Sequence, residues 1–205
     1  MTEQHQQLSP EEAIEQIQHI RNTMAQASKR FFMSAWQWIE WGILIIIGGL
    51  ITLYLVHQDK SEHITFIWIA IFILGGALET IIWYRGAQDR GINPLQPFSM
   101  KICGVLFALM MVGIFYTLIF VELSLPLYIP GLWMLVSGLC IFMMVILGDR
   151  RDLVLMGSVQ VISGILASSV LLDYSIQVGT VSFGFGSIVM GFYQLYNEKK
   201  QRSVS

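Results

Sequence analysis

Residues 34–56 read SAWQWIEWGILIIIGGLITLYLV, and this stretch decides the fold class. Glu40 is its one charged residue among apolar and small side chains. An α-helix needs about 20 such residues to cross the roughly 30 Å of hydrocarbon in a bilayer. The chain has five further stretches of this kind. The sequence therefore predicts an all-α integral membrane protein whose six transmembrane helices form three hairpins, at residues 34–56, 64–84, 102–121, 127–148, 153–172 and 176–196.

The positive charges lie almost entirely on one side of these six segments. Lysine and arginine concentrate in the cytoplasmic parts of membrane proteins. The distribution predicts that both termini are cytoplasmic, in a multi-pass protein of the cell inner membrane. Lys60, in the first connection, is the exception among the 12 lysines and arginines. The other eleven lie in the two tails and in the second and fourth connections: Arg21, Lys29, Arg30, Arg85, Arg90, Lys101, Arg150, Arg151, Lys199, Lys200 and Arg202.

Three regions follow from this pattern: a cytoplasmic tail (1–33), a six-helix transmembrane domain (34–196) and a basic cytoplasmic tail (197–205). The first tail predicts an amphipathic helix, because Ser9 and Glu12 suit a capping box and apolar residues follow at helical spacing: Ile14, Ile17, Ile20 and Met24. The apolar face of this helix either rests on the bundle or the lipid headgroups, or it docks a protein partner or another copy of the chain.

Composition restricts the function further. A hydrophobic content of 55% and a mean hydropathy of +0.62 exclude an ordinary soluble domain. No hydrolase, metalloprotease, redox or phosphate-loop motif occurs, and no histidine lies within a span, so we expect neither enzymatic activity nor a cofactor. The chain has no basic stripe suited to nucleic acid. Its two cysteines, Cys103 and Cys140, differ in predicted depth by about 9 Å, which excludes a disulfide between them.

Small residues recur inside the spans. Trp41-Gly42 precedes Gly48-Gly49-Leu50-Ile51 in the first segment, and Met156-Gly157 precedes Ser163-Gly164-Ile165-Leu166 in the fifth. Six spans with short loops and such Gly-x-Leu and Gly-Ile patterns resemble small prokaryotic membrane proteins of the HdeD (acid-resistance) type and other bacterial six-span proteins. This resemblance implies a bacterial inner-membrane setting and brings no catalytic residues.

Pairs of small residues four apart let membrane helices approach closely. The sixth segment has such pairs on more than one face, which places it either at the centre of the bundle or at the interface of a homo-oligomer. The residues expected to mediate helix packing are Gly76, Gly164, Gly184, Gly186 and Gly191.

Glu40 and Glu79 are the two ionisable residues well inside the spans. Each lies about 9 Å from the cytoplasmic end of its helix, and Gln160 lies at a similar depth. One interpretation is a site for a proton, a cation or another ligand, in which the two carboxylates share a proton. In the other, each glutamate extends toward the cytoplasm or pairs with Arg30, Arg85 or Lys101.

The outward connection at residues 57–63 holds His57, Asp59, Glu62 and His63. It is either a solvated turn or a zinc or acid-sensing site. Two hypotheses of function remain. In the first, the chain is a non-enzymatic membrane protein that acts through interaction, in stress response, using its tail and small-residue faces. In the alternative, it is a small transporter or channel that uses Glu40 and Glu79.

Overall fold

The computed structural model describes residues 14–16, 18, 34–89, 97–148 and 151–202, and all regular structure within these ranges is helical. Residues 175–202 form one continuous helix, called the C-terminal helix below, in which a π-helical turn separates α6 from α7. Short 3₁₀ turns lie at Ser61–His63, Arg151–Leu153 and Leu172–Tyr174. The helices are α1 (Ala35–His57), α2 (Ile64–Asp89), α3 (Pro97–Glu122), α4 (Tyr128–Gly148), α5 (Val154–Ala167), α6 (Ser175–Gly179), the π turn (Thr180–Phe185) and α7 (Gly186–Arg202).

Five helices of the described part are long and apolar enough to span a membrane, which is compatible with the predicted membrane-protein class. They correspond to all the predicted segments but the fifth. That segment, predicted at 153–172, is represented by α5, which has 14 residues and is about 21 Å long. It ends at Ala167 because the chain then leaves the helix in a turn, in which the Ser169 and Leu171 backbone N–H groups donate to the Leu166 carbonyl oxygen at 3.2 and 2.8 Å. A sixth crossing of the membrane stays a prediction.

The predicted amphipathic helix of the tail lies mostly outside the described residues. Residues 14–16 and 18 are described, and they are helical and exposed.

The C-terminal helix occupies the middle of the bundle. It packs against α1 on one side and against α4 and α5 on the other. The two remaining helices are peripheral, with α2 on α1 and α3 on α4. The sixth predicted segment thus owes its several small-residue faces to neighbours within one chain.

α1 and the C-terminal helix approach closely along a row of small residues. Ala35, Gly42 and Gly49 are spaced seven apart on α1. A Cβ added to Gly42 would lie 2.7 Å from the Gly184 carbonyl oxygen, and one added to Gly191 would lie 2.8 Å from that of Ala35. The two backbones are in contact, which is how membrane helices associate in the absence of a hydrophobic driving force.

The same device joins α4 and α5. Gly131 and Gly138 are seven apart on α4, and Gly157 and Gly164 are seven apart on α5. A Cβ added to Gly164 would lie 2.9 Å from the Gly131 carbonyl oxygen, and one added to Gly138 would lie 3.1 Å from the Val161 backbone nitrogen. A seven-residue spacing keeps the small residues on one face of two helices that supercoil left-handedly.

One buried apolar cluster fills the space between these helix pairs. It draws on α1, α4, α5 and the C-terminal helix, and Leu106 of α3 packs against it. Trp38 of α1 belongs to this core. Its members are Trp38, Ile141, Met144, Leu153, Met156 and Met190.

Each of the first two hairpins contains the same set of hydrogen bonds linking its two helices, called the clamp below. In the first, the Trp68 indole Nε1 donates to Thr52 Oγ1 at 3.0 Å, and that hydroxyl donates to the Gly48 carbonyl oxygen at 2.7 Å. In the second, Trp133 Nε1 donates to Thr117 Oγ1 at 3.0 Å, and Thr117 donates to the Gly113 carbonyl at 2.8 Å. Each residue of the second clamp lies 65 positions after its counterpart (48 to 113, 52 to 117 and 68 to 133).

The turns repeat at the same offset. Asp59 and Ser124, again 65 positions apart, both adopt the left-handed conformation, with φ of 54° and 57°. Lys60 N donates to the Leu55 carbonyl at 2.9 Å, and Leu125 N donates to that of Phe120 at 2.8 Å. Identical side-chain bonds and identical turns identify the first two hairpins as copies of one structural unit. The turn before the C-terminal helix has a matching bond, at 2.8 Å, from Leu171 N to the Leu166 carbonyl.

We expect the two clamps to be energetically equivalent. A double-mutant cycle with Thr52→Val and Trp68→Phe should give a coupling energy of about 0.6 kcal/mol, the average for interhelical hydrogen bonds in membranes. The Thr117→Val and Trp133→Phe cycle should give the same value. Reversible unfolding in mixed micelles measures both. Thr80→Val is the control, because Thr80 is exposed and bonds only to the Gly76 carbonyl of its own helix. A coupling in one hairpin alone would contradict the equivalence.

Gly164→Ala should destabilise the bundle by about 1–3 kcal/mol, because the added methyl group meets the backbone of α4, which cannot move aside locally. Gly76→Ala provides the matched control, since a Cβ at Gly76 has no atom within 4 Å. Melting temperatures in detergent would compare the two variants. Equal melting temperatures would show that α4 and α5 do not depend on this close approach.

Candidate functional site

The structure joins Trp41 of α1 to Glu79 of α2. The Trp41 indole Nε1 donates a hydrogen bond of 3.1 Å to Glu79 Oε2. This pair is called the Trp41–Glu79 latch below. The Trp41 N–H is thus the group that fixes one predicted site residue, Glu79.

Gly75 makes the latch sterically feasible. A Cβ at this position would lie 2.9 Å from Cη2 of the Trp41 ring and 3.1 Å from the Leu44 side chain. The ring therefore lies directly against the backbone of α2. Glu79 follows Gly75 by four residues, about one helical turn, and so stands beside the edge of the ring that carries the N–H. Phe72 closes the other side of this region, with its ring centroid 6.0 Å from that of Trp41.

Glu40 is adjacent to the latch and has the opposite hydrogen-bonding status. Both of its carboxylate oxygens are buried, and neither has a hydrogen-bond partner among the described residues. Glu79 lies close enough for the two negative charges to repel each other. Of the three cations proposed from sequence as partners, Arg85 is exposed, while Arg30 and the Lys101 side chain lie outside the described residues.

Two carboxyl groups on neighbouring helices, about 8 Å from the start of α1 and about 15 Å from the end of α2, can hold one proton between them or bind a small cation. A charged side chain is costly inside a span and is kept there by a partner, a bound ion or a proton. Glu79 has a donor in Trp41. Glu40, whose oxygens lack one in the described structure, is the group of the pair that needs an occupant.

The second hairpin carries apolar residues at the corresponding positions. With the offset of 65, Trp41 matches Leu106, Glu79 matches Met144 and Glu40 matches Val105. Leu106 packs against the apolar cluster that includes Met144. One structural unit thus occurs twice, once with an acidic pair and once with an apolar contact at the same place.

Gln160, the third predicted site residue, lies elsewhere. It is fully buried on α5, and its Nε2 donates to the Ser182 carbonyl oxygen in the π turn at 3.1 Å. A Cβ added to Gly138 of α4 would lie 3.2 Å from the Cβ of Gln160. The carboxylates lie on α1 and α2, and Gln160 is held between α4, α5 and the C-terminal helix.

The five predicted packing glycines occupy different environments. Gly164 faces α4, while Gly184 and Gly191 face α1, each with a neighbouring atom less than 3 Å from an added Cβ. A Cβ added to Gly186 would lie 3.2 Å from the methyl carbon of Met156 on α5. Gly76 faces open space, and its neighbour Gly75 makes the close contact instead.

The outward loop does not gather its four candidate ligands. His63 Nε2 lies 3.6 Å from Glu62 Oε1, and both side chains are largely exposed. Within the described ranges, no group of three or more histidine, cysteine, aspartate or glutamate residues is placed to hold a metal ion. Cys140 is a free, half-buried thiol.

Two sets of residues escaped the sequence interpretation: the Gly-Thr-Trp clamp and the buried serines of the C-terminal helix. The clamp left a usable signal, because Gly-x₃-Thr-x₁₅-Trp occurs twice with identical spacing. The serines left a weaker one, described below.

Comparison with known protein families, with curated proteins and with solved structures finds no match to this chain.

Proposed function

We propose that the chain is a small proton- or cation-translocating membrane protein whose site is the Glu40–Glu79 pair. The observation that carries this proposal is the state of Glu40, whose two buried oxygens lack a hydrogen-bond partner in the described structure beside a second carboxylate. This favours the transport hypothesis over one in which interaction alone is the function.

The chemistry follows from the unequal surroundings of the two groups. An unpaired buried charge costs several kcal/mol, and a carboxylate avoids that cost by taking up a proton or a cation. Glu79 accepts a hydrogen bond from Trp41, which stabilises its negative charge. Glu40 is then the group that loads and unloads. Glu79 sets its affinity, because a negative charge nearby strengthens the binding of a proton or cation at Glu40.

The latch connects occupancy to the hairpin. A hydrogen bond from an indole N–H is stronger to a carboxylate than to a neutral carboxyl group. A proton that moves from Glu40 to Glu79 therefore weakens the contact between α1 and α2. Binding of a proton at the Glu40–Glu79 pair is thereby linked to the separation of α1 and α2.

The setting belongs to the same proposal. The distribution of arginines and lysines supports a cytoplasmic location for both termini, which would put the pair in the inner leaflet of the cytoplasmic membrane. The resemblance to acid-resistance proteins of the HdeD type supports a role under acid stress, where a membrane protein that responds to protons would act.

Topology is testable by labelling engineered cysteines in intact cells with an impermeant maleimide, after replacing Cys103 and Cys140 by serine. Asp173→Cys, in the turn after α5, should label from outside, and Lys199→Cys should label only after permeabilisation. This result requires α5 to cross the membrane despite its length. If Asp173→Cys were protected and Lys199→Cys labelled from outside, α5 would not be a crossing and the chain would have five.

Proton flux in proteoliposomes tests the site. Glu40→Gln keeps the size and polarity of the side chain and removes its charge, so we expect flux under an imposed pH gradient to fall to the level of empty liposomes. Glu79→Gln should reduce flux as well. Glu122→Gln is the matched control, because Glu122 is an exposed glutamate at the opposite end of α3 from the cytoplasmic connections. Repeating the measurement with potassium or sodium gradients distinguishes a proton from a metal cation.

A second variant separates loss of function from loss of fold. Trp41→Leu combined with Glu79→Met gives the first hairpin the residues found at the corresponding positions of the second, Leu106 and Met144. The second hairpin accommodates these two residues in an apolar contact. We expect this double variant to retain its melting temperature and to lose flux. Wild-type flux in Glu40→Gln and in the double variant would exclude the acidic pair as the site.

The interaction hypothesis remains a second candidate, supported by the exposure of Ile14 in the tail helix. Since the small-residue faces of the C-terminal helix are covered within one chain, a protein partner or a second copy would use the tail. Deletion of residues 1–28 would then remove function while Glu40→Gln retained it, the reverse of the outcome that the transport proposal requires.

A further inference from the structure

Polar side chains follow the buried face of the C-terminal helix from end to end. Ser175 and Ser187 are completely buried, and Gln194 is nearly so. Ser182, half-buried, lies between the two serines. These four residues are called the polar column below. A buried polar side chain in a membrane bundle needs a hydrogen-bond partner, because neither lipid nor an apolar core supplies one.

The π turn is what keeps the column in line. The spacings along it are seven, five and seven residues (175 to 182, 182 to 187 and 187 to 194). Seven residues make nearly two turns of α-helix and return to the same face. Five residues overshoot one α-helical turn by more than a third, but they match the i→i+5 hydrogen bond of a π-helix. The interval of five begins within the π turn, at Thr180–Phe185.

Gln160 of α5 faces the middle of this column. Its Nε2 donates to the Ser182 carbonyl, and its Oε1 is buried with no hydrogen-bond partner in the described structure. The hydroxyls of Ser175 and Ser187 are also buried without a partner there. Ser182 Oγ is satisfied by the Val178 carbonyl at 2.7 Å and by Met134 Sδ at 3.1 Å.

We propose that the polar column holds ordered water inside the bundle, along the buried side of the C-terminal helix. Water suits the groups present, because Gln160 Oε1 is an acceptor and each serine hydroxyl can both donate and accept. A single metal ion does not suit them. Ser175 and Ser182 are about 10 Å apart along the helix, whereas the ligands of one ion lie within about 2.6 Å of it.

The column and the acidic pair lie on different helices. The column belongs to the C-terminal helix and meets Gln160 of α5 at Ser182, while the Trp41–Glu79 latch joins α1 to α2. Internal water of this kind is retained because it completes the hydrogen bonds of buried polar groups that would otherwise be unsatisfied. Such water hydrates the centre of the bundle along a line that is otherwise surrounded by leucine, isoleucine and methionine side chains.

Radiolytic labelling of the full-length protein in detergent tests the proposal. X-ray pulses split bound water into hydroxyl radicals, which oxidise an adjacent methionine to its sulfoxide. Met134 and Met144 are both on α4 and are 2% and 9% exposed, but Met134 touches the column whereas Met144 lies in the apolar cluster. With water in the column, Met134 should be oxidised several-fold faster than Met144, although it is the less exposed of the two.

The wild-type comparison decides the question without any variant. Oxidation of Met134 no faster than that of Met144 would overturn the proposal. Gln160→Leu tests the cause of the fast oxidation. Removal of Gln160 Oε1 should lower the oxidation rate of Met134 to that of Met144. Ser187→Ala is a smaller change on the same column and should lower the Met134 rate in part. Fast oxidation of Met134 that persists unchanged in both variants would place the water elsewhere and would also contradict the proposal.

Discussion

The fold depends on the direct contact of helix backbones at small residues spaced seven apart. In a bilayer, burial of apolar side chains gives helices little reason to associate, since lipid is equally apolar. Close approach replaces that driving force, and it needs residues without bulk on a continuous face. Ala35, Gly42 and Gly49 provide one such face, and Gly131 and Gly138 provide another. The first contact joins α1 to the C-terminal helix, and the second joins α4 to α5.

Polarity is then distributed where these contacts leave room for it. The Gly-Thr-Trp clamps join the two helices of each of the first two hairpins in the half next to the turn, and each donor in them has an acceptor. The Trp41–Glu79 latch lies in the other half of the first hairpin. The polar column lies on the buried side of the C-terminal helix. Within the described structure, buried oxygens without a hydrogen-bond partner remain on Glu40 near the latch and on Gln160, Ser175 and Ser187 at the column, and these residues call for something further.

Five of the long apolar helices and their approximate limits could be predicted from sequence, because length and hydropathy are properties of single segments. The pairing of helices could not, because a glycine reads the same whether it faces a neighbour or lipid. Gly76 and Gly75 show this: they are adjacent, and only Gly75 contacts another helix. Sequence reasoning grouped Gln160 with the two glutamates because the depth of a residue follows from its position along a segment. The direction in which its side chain points around the helix does not follow from that position. The length of α5 was missed because hydropathy does not register the turn at Ser168.

The comparison of the two related hairpins has a mechanical consequence. Both are joined next to their turns by a clamp of the same geometry. In the other half, one is held by a hydrogen bond to a carboxylate and the other by packed apolar side chains. An apolar contact has the same strength at any proton concentration, whereas a bond to a carboxylate does not. Of the two related contacts, the one between α1 and α2 is therefore the one whose strength depends on pH.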